Sequence, residues 1–286
     1  MKLGCITNGI SDDFENACRV MSQDGLIYAD LQNVWGKAVG SLTHEENVRM
    51  KHLMEQYGII PWVLCRHDFS GLSIKDTELT GGKYQEHIES FKRTLALGKF
   101  LETKYIRIMS FSKAPLLWGK EGAGRWLADN NTSWAKLLKL MEHPVRLAEE
   151  AGVTLVVETG LFSGLNNGYL AAKFIRDLGS NQLKILWDPA NCLYSGEEPW
   201  PEGYTYVREY LSHIHIKDIK YNRKKYTAEF TPLGAGDMGP YLCDLAETLR
   251  KDNYQGVVTL ENCYEPNHNV YAGYEANLQL FKKLFA

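Results

Sequence analysis

The sequence predicts a single α/β domain over residues 1–286, a (β/α)8 barrel of the TIM type, with an open doubly wound sheet as the competing arrangement. Three observations predict it. Eight short apolar runs recur along the chain, helical patterns separate them, and the 286 residues lie near the roughly 250 typical of such barrels. No low-complexity tract, proline-rich linker or shift in composition marks a domain boundary.

The strand-like runs are, in order, "KLGCITNG", "LIYADLQ", "IIPWVLC", "YIRIMSF", "VTLVVETG", "LKILWDP", "LSHIHIK" and "GVVTLENC". Helical patterns lie between them, among them "THEENVRMKHLMEQYG", "KYQEHIESFKRTLALGKFLE" and "SWAKLLKLMEHPVRLAEEAG"; several end in glycine, the residue that best accepts the left-handed turn closing a helix. A last helix, "GYEANLQLFKKLFA", closes the chain. The stretch from Ser112 to Ser133 is too long for a simple connector, and its Trp118 and Trp126 point to a lid.

Composition narrows the function. The formal net charge of -3 lacks the excess of Lys and Arg that a nucleic-acid surface needs, so no nucleic-acid partner is expected. No run approaches the apolar length of a membrane span, and "MKLGCITNG" lacks the apolar stretch of a secretory signal. The six cysteines are scattered and form no C-x-x-C pair, which suits a reducing compartment. A cytoplasmic small-molecule enzyme is the expectation, with self-association into a homo-oligomer left open.

Barrel enzymes carry their chemistry where strands end at the C-terminal face. Strand five ends at Glu158, strand six at Asp188 and strand eight at Glu261, while strand seven carries His215. One such carboxylate can simply cap the next helix. Three carboxylates and an imidazole at four consecutive strand ends would repel one another unless a divalent cation neutralised them. Oxygen-rich donors with a single nitrogen suit Mn²⁺, with Mg²⁺ or Co²⁺ also fitting. In "LSHIHIKDIK", His213, His215 and Lys217 share one face; His215 lies nearer the mouth and is the expected ligand, leaving His213 one layer deeper for packing or for bonding a ligand.

The series "VVETG", "WDPAN", "HIHIKD", "PLGAGDMG" and "GVVTLEN" resembles the xylose isomerase-like TIM barrel superfamily of sugar isomerases and epimerases over nearly the whole chain. The resemblance implies that Glu158, Asp188, His215 and Glu261 hold one metal and that Glu158 and Glu261 are also the acid and base. Asn191 and Tyr221 stand where free-ketose 3-epimerases carry a substrate-binding histidine and arginine, and Arg223 follows two residues later. The additional histidines of the endonuclease IV branch, one after the strand-six aspartate and one in an Asp-Arg-His motif, have no counterpart here.

The expected reaction is proton transfer next to a carbonyl through a metal-stabilised enediolate, giving an isomerase or epimerase of a sugar, sugar phosphate or keto-sugar. Loss of a β-oxygen substituent would instead make a lyase or dehydratase acting on a keto-sugar or inosose. Lys217, Asn191, Arg223, Trp118 and His67 are the candidate substrate contacts. Lys217 has a rim salt bridge as its alternative role. Arg107 and Asp30 are read as a buried pair lining the barrel, with substrate contact as the alternative, "GAGDMG" as either a phosphate cradle or a plain turn, and Trp35 as either a sugar platform or packing.

Overall fold

The structure, a computed structural model, describes residues 1–112, 131–222, 224, 225 and 227–286. Eight strands form a closed barrel: β1 (Lys2–Ile6), β2 (Tyr28–Leu31), β3 (Ile60–Cys65), β4 (Tyr105–Ile108), β5 (Thr154–Glu158), β6 (Leu183–Trp187), β7 (Leu211–Ile216) and β8 (Val257–Leu260). They neighbour one another in chain order, and β8 returns to β1. The open sheet is thereby excluded. Each apolar run of the sequence holds one barrel strand.

The registers show how tightly the strands pack. Gly4 of β1 pairs with Thr259 of β8 and with Tyr28 of β2. A Cβ at Gly4 would lie 2.5 Å from the Tyr28 carbonyl oxygen, so only glycine fits there.

Among the described residues seven longer helices follow the strands: α1 (Phe14–Asp24), α2 (His44–Tyr57), α3 (Gly82–Leu101), α4 (Asn131–Ala151), α5 (Gly168–Leu178), α6 (Gly239–Lys251) and α7 (Val270–Phe285). Local chemistry fixes their ends. Thr43 and Glu46 form a capping box at the start of α2, each side chain bonding the other's backbone N–H, and Gly58 ends the helix at φ 68°. Asp13 caps α1 by accepting from Glu15 and Asn16.

The even alternation of the sequence breaks after β6. There the chain forms only the short helical turns Pro189–Leu193, Pro199–Gly203 and Tyr204–Val207. Glu197, from the segment joining the first two, accepts hydrogen bonds from the Gly168 and Tyr169 amides at the start of α5. Its buried carboxylate thus satisfies two N–H groups that the helix itself leaves unpaired. Burial pushes the Glu197 carboxyl above its usual range, and those two N–H bonds counteract only part of that rise.

A second departure follows β7. Asp218–Asn222 and Thr227–Thr231 pair as an antiparallel hairpin that the sequence pattern does not set apart from the strand before it. The segment expected to be a lid, with Trp118 and Trp126, and the candidate Arg223 lie outside the described residues.

The chain divides into two compact units, one of Met1–Cys65, Leu97–Thr103 and His213–Ala286, the other of Arg66–Ala96 and Lys104–Ser212. The candidate residues are divided between them.

Candidate functional site

In the first unit, Asp30 on β2 is the organising group. It is fully buried, and one of its oxygens, Oδ2, lies 2.5 Å from His213 Nε2 and 2.9 Å from His215 Nε2. A carboxylate accepts only, so both rings present Nε2–H to it. The two imidazoles meet edge to face with centroids 5.2 Å apart. Burial acts to raise the Asp30 carboxyl, but the two histidines outweigh it and hold the group down at about 2.

This corrects the expected Asp30–Arg107 pair. Asp30 belongs to the histidines, and Arg107 belongs to Glu158.

A carboxyl with a depressed folded-state value stabilises the fold above its unfolded value, and that stability is lost as pH falls through the folded one. For Asp30 the window runs from the ordinary value of 3.8 down to about 2. Metal-free protein is therefore expected to lose about 2–3 kcal/mol across it. Asp30→Asn should lack that part of the loss in urea titrations at stepped pH. A wild-type and an Asn variant with parallel acid profiles would refute the assignment.

His215 has a second carboxylate on its other side, with Nδ1 3.5 Å from Glu261 Oε2. Two arrangements satisfy a ring so placed. Either it is an imidazolium donating through both nitrogens, or it is neutral and its Nδ1 lone pair shares a cation with Glu261. The second is how a histidine holds a metal, its far N–H anchored on a carboxylate. The residues of this unit therefore fit a divalent ion.

Lys217 Nζ lies 2.8 Å from Glu261 Oε2, so of its two expected roles the structure shows the salt bridge. Burial would raise the Glu261 carboxyl, but Lys217 first and His215 next outweigh it and hold it well below the usual range.

Asp218, one position beyond Lys217, settles the glycine loop. Its carboxylate accepts from the amides of Ile219, Gly234, Gly236 and Met238 at 2.8–3.1 Å. Those loop amides are thus committed to a protein carboxylate, which argues against the phosphate cradle and for the turn. Trp35 packs edge-on against Phe14 and under Arg49, the packing alternative of its two readings.

In the second unit Glu158, the last residue of β5, is buried and ion-paired with the equally buried Arg107 of β4. Arg107 Nη2 also approaches His67 Nε2 at 3.5 Å. His67 is exposed, just past the end of β3.

Asp188 follows β6 and is completely buried. Thr159 locks its backbone to the end of β5: the Asp188 amide donates to Thr159 Oγ1 at 3.0 Å, and that hydroxyl donates to the Asp188 carbonyl at 3.2 Å. The Asp188 carboxylate caps the next helix by accepting from the Asn191 amide at 3.1 Å. The candidate Asn191 directs its own side-chain amide to the Thr159 carbonyl at 2.8 Å.

Sequence reasoning misses Asp30 as the partner of two histidines, and Thr159 as the clamp on Asp188. An acid at a buried position of an apolar strand is the available signal for the first.

Residues 28–284 match the family described as xylose isomerase-like TIM barrel. Among curated proteins the chain is similar to an inosose dehydratase of Bacillus cereus, with 30% identity over 91 residues, 30% of this chain. The match spans 29% of that relative's length. Among solved structures it is similar to the probable 3-DHS dehydratase AsbF involved in petrobactin synthesis from Bacillus anthracis, with a TM-score of 0.74, 15% identity and 99% of each chain covered. It is also similar to D-psicose 3-epimerase with D-tagatose from Clostridium cellulolyticum H10, with a TM-score of 0.69, 14% identity and 99% of each chain covered. At these identities the structural likeness speaks to the fold. No helix among the described residues is long and apolar enough to cross a membrane.

Proposed function

The chain belongs to the xylose isomerase-like TIM barrel family, and on that premise we propose that it is a divalent-metal-dependent isomerase or epimerase of a small carbohydrate. The observation that carries the reading is a pair of glutamates at strand ends, each held by its own cation, Glu158 by Arg107 and Glu261 by Lys217. Two carboxyl groups at barrel strand ends are what proton removal and return beside a carbonyl require, one taking the proton as a carboxylate and the other, carrying a proton from solvent, returning one.

Glu158, Asp188, His215 and Glu261 would hold the ion, for which the oxygen-rich set favours Mn²⁺ over softer metals, with Mg²⁺ and Co²⁺ also suited. When bound, it supplies Lewis acidity toward the substrate carbonyl and neighbouring hydroxyl.

The chain's own residues do the rest. Glu261, kept ionised by Lys217, accepts or returns a proton at the carbon beside the carbonyl, and Glu158 serves the opposite face. Asp30 keeps His215 in one tautomer, and Thr159 keeps Asp188 in place. The exposed His67, the short-range cation Lys217 and Asn191 are the described candidates for substrate hydroxyl contacts.

A second reading is favoured by the similarity to an inosose dehydratase: the same bases would remove the proton while a β-oxygen substituent leaves. Incubating the protein with ketoses and with keto-inositols in D₂O tests both. Deuterium entering a substrate or epimer that keeps all its oxygens supports the isomerase reading, and an unsaturated ketone replaces it with the dehydratase.

The metal assignment has its own test. Asp188→Asn is expected to lower Mn²⁺ affinity sharply in equilibrium dialysis, because a neutral amide replaces one of three anionic donors. Undiminished occupancy would refute it.

A further inference from the structure

The first unit contains a second constellation that the proposed carbohydrate chemistry does not use as such. Asp30, Cys65 and His215 each offer one ligand atom, all within 4.8 Å of one another, and all three residues are buried. Cys65 is the last residue of β3 and is in no disulfide. Within the group, Asp30 Oδ2 and His215 Nε2 are already 2.9 Å apart. The other Asp30 oxygen, Oδ1, is buried with no hydrogen-bond partner among the described residues. A buried carboxylate oxygen without a donor is costly, and a cation is one of the few partners that removes the cost.

The donor types are informative. One thiolate, one carboxylate and one imidazole are the ligands of zinc and of cobalt(II), and the sulfur is too soft for Mg²⁺ and poor for Mn²⁺. The charges also balance: a dication with a thiolate, a carboxylate and a neutral imidazole is neutral overall, which suits a fully buried place.

We propose that Asp30, Cys65 and His215 form a soft-metal site of the zinc class, distinct in its donors from the oxygen-rich one but sharing His215 with it. Binding releases the Cys65 thiol proton to solvent and moves the His215 proton from Nε2 to Nδ1, so that the Nε2 lone pair faces the ion. His213 keeps its hydrogen bond to Asp30 and steadies that ligand. His215 cannot then offer Nδ1 to a metal beside Glu261. Zinc here and a hard cation there are mutually exclusive, a consequence that rests on the function proposed above, whereas the site itself rests on the three residues.

The test uses full-length, chelator-treated protein in which the exposed thiol is removed by Cys243→Ser. Titration with Co²⁺ alone is expected to give a near-ultraviolet thiolate-to-cobalt charge-transfer band that Zn²⁺ abolishes. The band should vanish in Cys65→Ser and persist in Asp188→Asn, which alters the oxygen-rich set and leaves these three ligands intact. X-ray absorption on the zinc-loaded Asp188→Asn protein should show one sulfur per zinc at about 2.3 Å. The last two measurements stand even if Cys65→Ser fails to fold, and even if the oxygen-rich site binds nothing. Absence of the band from the Cys243→Ser protein, its survival in Cys65→Ser, or a zinc shell without sulfur would each overturn the proposal.

Discussion

Glu158→Gln and Glu261→Gln are each expected to lower turnover by about 10²–10⁴-fold, the range lost when a positioned acid or base is removed. Loss of turnover alone does not separate a base from a metal ligand, since each glutamate is proposed as both. Proton exchange does. If the two carboxylates serve opposite faces of the substrate, the Glu158 variant retains the base on one face and the Glu261 variant the base on the other. With metal still bound, each variant should wash deuterium from D₂O into one epimer and not into its partner.

The resting electrostatics add a directional expectation. Glu261 is held low by Lys217 and His215, so it is ionised throughout the neutral range and enters the cycle as an acceptor. Lys217→Met removes the larger of those two attractions. It should raise the acid limb of the pH–rate profile while leaving exchange into the Glu158-facing epimer intact. If both glutamine variants exchanged the same substrate equally, two-base epimerisation would be excluded, and a single base, or Lys217 itself, would carry the proton.

How far the sequence reaches can be judged residue by residue. The barrel strands are legible because strands buried on both faces must be nearly continuous apolar runs, and Leu155, Val156 and Val157 of β5 are all fully buried. Glu158, Asp188 and Glu261 are legible as polar residues that end such runs. Helix ends are legible where caps are local, as with Thr43, Glu46 and Gly58 around α2.

Asp30 is not, because its partners His213 and His215 lie 183 and 185 positions away and no local pattern couples them. The same holds for the glycine loop, whose amides suggest an anion site until Asp218, from before the hairpin turn, proves to be the anion they bind. The helical repeat after β6 fails for a different reason. "DPANCLYSGEEPWPEG" carries the start signals of a helix, Pro189 among them, but also two later prolines and two glycines that stop it early.

Arg107→Met is expected to destabilise the metal-free protein by about 3–5 kcal/mol, the cost of leaving one member of a buried ion pair unneutralised. In a chain of this length that is a fall in melting temperature of roughly 6–20 °C. Arg107 and Glu158 are both almost completely buried, so neither water nor salt replaces the lost partner cheaply. Methionine preserves much of the stem's volume, which makes the missing charge the main change. Two comparisons isolate it. Arg107→Met combined with Glu158→Gln removes both charges and should recover most of the loss, giving a coupling well above the sum of independent sites. Saturating Mn²⁺ should recover part of the loss in Arg107→Met alone, because a dication on Glu158 supplies the neutralisation that the guanidinium supplied. That recovery should be absent in the double variant, where no anion remains at position 158 to attract it. A single variant stabilised by Mn²⁺ no more than the double variant would remove Glu158 from the ligand set and leave its pairing with Arg107 standing.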